Sequence, residues 1–116
     1  MSEALPIVRS ESRQEDGSIL LTLWVTADMP LFSGHFPGSP ILPGVLQLYW
    51  VQHLAHERFE IEGGFTRAIN LKFQKPILPD SEIQLSLSYD TNKRQLLFSY
   101  RSIKENHASG KLEFSA

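Results

Sequence analysis

Phe32-Ser33-Gly34-His35-Phe36-Pro37-Gly38-Ser39-Pro40-Ile41-Leu42-Pro43-Gly44-Val45-Leu46 runs directly into Gln47-Leu48-Tyr49-Trp50-Val51. The junction between these two stretches decides the fold. Residues 29–43 carry four of the chain's seven prolines and two glycines, which fix φ at several points and disfavour both helix and sheet ladder. A long, stiff, structured loop is expected there. From Gly44 to about Glu60 the pattern turns helical, with Pro43 just ahead of the start and Gly63-Gly64 beyond the end. Val45, Leu46, Leu48, Tyr49, Trp50, Val51, Leu54 and Ala55 leave only Gln47, Gln52 and His53 as polar interruptions. A surface helix shows one apolar stripe, so this one is expected to be wrapped.

The wrapping elements lie on both sides. Upstream, Pro6 to Glu11 and Ile19 to Thr26 read as strands joined by the hairpin turn Glu15-Asp16-Gly17-Ser18. Downstream, the strand patterns are Phe65 to Gln74, Glu82 to Tyr89, Gln95 to Ile103 and Ala108 to Phe114. Turn-like clusters at Pro79-Asp80-Ser81, Thr91-Asn92-Lys93 and Lys104-Glu105-Asn106 favour consecutive antiparallel strands over crossovers. Two strands, one buried helix and four strands make an α+β order. With 116 residues and 41% hydrophobic content, a single domain over 1–116 is expected.

Composition narrows the function. The formal net charge is -2 and the charges are scattered, so nucleic-acid binding is not expected. The chain has no cysteine, which removes disulfides, thiolate nucleophiles and cysteine-based zinc sites. Met1-Ser2-Glu3-Ala4-Leu5-Pro6 lacks the basic and apolar regions of a signal peptide, and no run approaches a membrane span. A soluble, cytoplasmic protein is the default expectation.

His35 stands out chemically. Its side chain titrates near neutrality, and the flanking glycines and prolines hold it in place, as a general base requires. The free N–H groups at the helix start, around Gly44 and Val45, together with the positive end of the helix dipole, can polarise a carbonyl oxygen. A base beside such a helix end suits proton abstraction next to a carbonyl, or attack on it; a structural loop histidine is the alternative.

The run Gly34 to Leu46, with its Gly-His-Phe-Pro-Gly and Pro-Gly-Val-Leu blocks, closely resembles the hot-dog 3-hydroxyacyl-[acyl-carrier-protein] dehydratases. Ile69-Asn70-Leu71-Lys72-Phe73-Gln74-Lys75-Pro76-Ile77-Leu78-Pro79 is similar to that family's strand after the helix and its proline-marked bend. Pro43 to Leu48 with Trp50-Val51 looks nearest to the hydroxymyristoyl-carrier-protein dehydratase-like branch, which includes aryl-polyene pathways. The resemblance implies a curved antiparallel sheet around one helix, with subunits joined edge to edge as a homodimer or an assembly of dimers. It also implies active sites at the interface, where a histidine and an acidic residue face each other, and no cofactor or metal.

By position, the resemblance makes His35 the catalytic base. Gly44 and Val45 meet the thioester carbonyl, and the carbonyl of Ile41 orients the imidazole. The acidic residue falls at position 49, which is Tyr. Expelling hydroxide from C3 needs a proton donor or a firmly held water. Tyr49 can donate, but with a reference pKa of about 10 it is a weak acid; a packed aromatic role is the alternative. His53 and Glu57, at successive i,i+4 steps, are further candidates, and Gln47 can hold a water.

Three function classes follow from the resemblance. A dehydratase of (3R)-3-hydroxyacyl thioesters on acyl carrier protein leads. A thioesterase normally needs an acidic residue near the helix, and Met29 to Tyr49 has none. A non-catalytic acyl-thioester subunit, paired with a homologue that supplies the carboxylate, is kept open by Tyr49. Acidic carrier proteins would dock on basic residues such as Arg67, Lys72, Lys75 and Arg101. His53, His56 and His107 are expected to be solvated or to cap, with no third ligand for a metal. Trp50 is expected under the sheet or against a partner, and Trp24 in the core.

Overall fold

Along Ile19–Val25 (β2) every second side chain is buried, and the same alternation runs through Ser81–Asp90 (β4) and Gln95–Arg101 (β5). In the computed structural model, which describes residues 5–26 and 42–115, these strands share one antiparallel sheet. Ile7–Arg13 (β1), Phe65–Phe73 (β3) and Asn106–Phe114 (β6) complete it, and Gly44–His56 forms the helix α1. The sheet order is β1-β2-β4-β5-β6-β3. Register aligns Leu21 with Leu85, Leu85 with Tyr100 and Tyr100 with Ala108, so one face presents a continuous apolar row. Trp50, Val51, Leu54 and Ala55 of α1 join the same core cluster.

Strand positions match the sequence reading closely, with three differences. The helix ends at His56, before Glu60, because the N–H groups of Arg58 and Phe59 both turn back to the carbonyl of Ala55. Strand β3 does not pair with β4, which follows it, but takes the far edge beside β6. The chain then crosses back: Gln74 N–H donates to the His107 carbonyl and Asp80 N–H to the Val25 carbonyl. Midway, buried Ile77 accepts from the N–H of Leu42, which pins the entry to α1.

The third difference concerns burial. The sheet packs on the helix face bearing Gln47, Trp50, Val51, Leu54 and Ala55, and among the described residues the opposite face is left open. Val45 is 75% exposed, and edge strand β3 leaves Phe65, Leu71 and Phe73 exposed. Trp24, expected in the core, sits on the outer face of β2. Its ring lies 4.4 Å beneath the guanidinium of Arg9, which is also 3.7 Å from Glu82. No helix among the described residues is long and apolar enough to cross a membrane.

Candidate active site

Pro43 caps α1 with extended backbone, φ -61° and ψ 146°, and no side chain caps the helix start. The carbonyl of Pro43 accepts from the N–H groups of Leu46 and Gln47 at 3.1 and 3.2 Å. The N–H groups of Gly44 and Val45 precede these, at the positive end of the helix, with no acidic residue in the first turn to neutralise it. Such an end suits a ligand oxygen that gathers negative charge.

A cavity of about 380 Å³ adjoins this end, lined by Leu42, Pro43, Gly44, Gln47 and Phe73 with the segment Gln74 to Pro76. A Cβ on Gly44 would lie 3.1 Å from Cζ of the Phe73 ring. Glycine therefore lets the aromatic wall of the cavity pack onto the first helical turn.

The floor of the cavity is tied down by His107. Expected to be solvated or capping, it is buried instead, with Nδ1 3.1 Å from the Lys75 carbonyl and Nε2 3.0 Å from Ser102 Oγ. A carbonyl only accepts, so Nδ1 donates to Lys75, and a neutral ring then receives the Ser102 hydroxyl. Polar side chains read as exposed by default in a sequence, so nothing pointed to this clamp.

Tyr49 lies elsewhere. It lines a second groove of about 430 Å³ with Val45, Leu48, Gln52, His53, His56 and Phe65. Its ring centroid is 6.0 Å from that of His53, whose Nε2 is 3.5 Å from Glu57 Oε2. Tyr49, His53 and Glu57 thus share one helix face, as their spacing suggested. Gly44 and Tyr49, five residues apart on a 3.6-residue helix, point to different sides of α1. Among the described residues, the helix end and position 49 line different pockets. His35 and Ile41 lie outside the described residues.

The comparisons with known proteins converge on one family. A model of ApeI-like proteins, described as ApeI dehydratase, matches residues 11–111. The 3-hydroxyacyl-[acyl-carrier-protein] dehydratase FabZ of Erythrobacter litoralis is 34% identical over 103 residues, covering 79% of this chain and 68% of that protein. FabZ of Haemophilus influenzae strain PittEE is 35% identical over 78 residues, 60% of this chain and 53% of the enzyme, so the chain spans about half the length of such relatives. Among solved structures, the dehydratase heterocomplex ApeI:P from Xenorhabdus doucetiae superposes with a TM-score of 0.87 at 29% identity, covering 96% of this chain and 98% of that one. Hot-dog dehydratase architecture and a family match across nearly the whole sheet and helix agree: the chain belongs to the ApeI-like dehydratase family.

Proposed function

We propose that the protein is a dehydratase that converts a (3R)-3-hydroxyacyl thioester of acyl carrier protein to the enoyl thioester, in fatty-acid or related lipid and polyene biosynthesis. The observation that carries this reading is the uncapped start of α1 at Gly44 and Val45, opening on a largely apolar cavity directly after the Gly-His-Phe-Pro-Gly run. The thioester carbonyl sits at these N–H groups, which stabilise the negative charge that develops as C2 loses its proton. His35 takes that proton, with the Ile41 carbonyl orienting its ring. The hydroxyl then leaves C3 with a proton from an acid and departs as water.

Tyr49 stands at the acid's position in the groove on the other side of α1. In a dimer joined along the β3 edges, that groove faces the neighbouring subunit's helix end. The exposed Phe65, Leu71 and Phe73 support an edge-to-edge homodimer or a larger assembly of dimers. Lys72 and Lys75, with Arg67 and Arg101, offer a basic approach for an acidic carrier protein. The cytoplasm is the compartment this reading assigns.

Tyr49 also favours a second reading, a binding subunit that needs a carboxylate from a different partner. The Xenorhabdus neighbour is described as a heterocomplex, which fits it. One experiment separates the two: hydration of an enoyl thioester and the reverse dehydration on acyl carrier protein, with wild type, His35→Ala and Tyr49→Phe. Turnover in the purified protein that vanishes with His35→Ala supports the dehydratase. Thioester binding without turnover leaves the partner-dependent subunit.

A further inference from the structure

Strand β3 is irregular beside the helix start. Ile69 pairs with Lys111 and Lys72 with Ser109, so Asn70 and Leu71 together stand against the single residue Gly110 of β6. Asn70 has φ 54°, in the left-handed region, and among the described residues it is the one non-glycine inside a strand that does; Asp80 and Arg94 fall between strands. This is a β-bulge whose first residue is left-handed, a conformation that asparagine tolerates and β-branched residues resist.

The extra residue decides which side chains of β3 face the helix. Ala68 packs against the core. Strict alternation onward from Ala68 would turn Asn70 and Lys72 inward, and Leu71 and Phe73 outward. The structure has the reverse. A Cβ on Gly110 would lie 2.6 Å from Leu71 Cδ2 and 3.2 Å from Cε2 of buried Phe98, so Leu71 lies across the inner face of β6. Phe73 sits over Gly44 and lines the cavity at the start of α1. One glycine on β6 and one on α1 thus leave the room that these two side chains occupy. Phe73 remains 51% exposed, which leaves its ring accessible to a ligand.

We infer that Asn70 is a positioning residue for substrate: its left-handed backbone turns Phe73 onto the helix start, where the ring is the apolar wall that the acyl chain meets beside the Gly44 and Val45 N–H groups. The placement of the thioester rests on the dehydratase reading; the aiming of the ring does not. Asn70 acts only through Phe73. A regular β3 would bring Lys72 inward instead, and an ammonium group suits an aliphatic chain poorly.

The test has two readouts. The first is the NMR shift of the Gly44 α-protons, which a ring lying on Gly44 displaces by its ring current. The displacement is expected to persist in Asn70→Gly, which enters the left-handed region freely, and to vanish in Phe73→Ala and Asn70→Val. The second is titration calorimetry with decanoyl-pantetheine, which lacks the 3-hydroxyl and cannot be dehydrated. Affinity is expected to stay within about two-fold in Asn70→Gly, to fall about ten-fold in Phe73→Ala and in Asn70→Val, and to fall no further in the double variant. Asn70→Val with wild-type shift and affinity overturns the proposal, as does Phe73→Ala that binds like wild type or a wild type that binds no thioester. Additive losses in the double variant also overturn it, since they mark an effect of Asn70 that does not pass through the ring. If Asn70→Val does not fold, Asn70→Ala makes the same comparison at a smaller backbone cost, and the Phe73→Ala result stands by itself. Wild-type turnover of a 3-hydroxyacyl thioester, measured separately, tells failure of the dehydratase reading from failure of this inference, because the Gly44 shift does not depend on turnover.

Discussion

The hydroxyl of Tyr100, on β5, donates to the backbone carbonyl of Gln47, on α1, across 2.6 Å in a fully buried setting. It joins the middle of the sheet to the helical turn that lines the cavity at the start of α1. The Gln47 carbonyl also receives the usual intrahelical bond, so removing the phenol leaves it satisfied. Tyr100→Phe is therefore expected to cost about 0.5–1.5 kcal/mol in urea unfolding, with the fold retained.

Burial also pushes the Tyr100 phenol well above its ordinary value of 10.0. The unfolded chain ionises this group first, so above about pH 10 it binds fewer protons than the folded chain and stability falls with rising pH. Below that the contribution is fully present. Unfolding midpoints followed from pH 8 to 11 should show an alkaline decline that is shallower in Tyr100→Phe. Equal slopes would mean that the phenol is not the group responsible.

Gly44→Ala tests the contact with Phe73. Replacing a helical glycine by alanine favours the helix by about 1 kcal/mol. Against this, the new Cβ would lie 3.1 Å from Phe73 Cζ and 3.2 Å from Cε1, and the ring must give by a few tenths of an ångström. The Phe73 side chain is half exposed and free to move outward. The two effects offset, so the thermal midpoint should stay within about 5 °C, while the shifted ring reshapes the cavity and turnover falls.

His107→Ala removes the clamp beneath the same cavity. The Lys75 carbonyl and the Ser102 hydroxyl lose their partners, which should cost about 1–3 kcal/mol by chemical denaturation. Thioester KM should rise more than kcat falls, because the displaced segment lines the cavity and bears no reacting group. A KM unchanged at full destabilisation would show that this wall does not contact substrate.

These relationships differ in how far the sequence revealed them. Ile83, Leu85 and Leu87 announce their strand because period-two alternation is the direct imprint of one buried face. The same alternation says nothing about which strand lies beside which, so the edge position of β3 came only with the structure. Gly44 and position 49 were singled out by family pattern, and the 3.6-residue period already puts them on different sides of α1, but which pockets meet those sides needed the structure. His107 was hidden because its burial is compensated by a partner distant in sequence, Lys75, 32 residues away.

Tyr49→Glu addresses the departure at the acid's position. Tyr49 is half-buried in a groove of about 430 Å³, so a shorter glutamate fits without strain, and stability should change by less than about 1 kcal/mol. His53 stands one turn away and gives the carboxylate a polar neighbour. A missing general acid typically costs about 10²–10⁴-fold in rate. If the self-associated protein works with a weak acid, Tyr49→Glu should raise kcat for dehydration by at least about ten-fold with KM little changed, and Tyr49→Phe should lower it. A glutamate variant no faster than wild type, beside a phenylalanine variant that is fully active, would remove position 49 from the chemistry and direct the search for the donor to a partner chain.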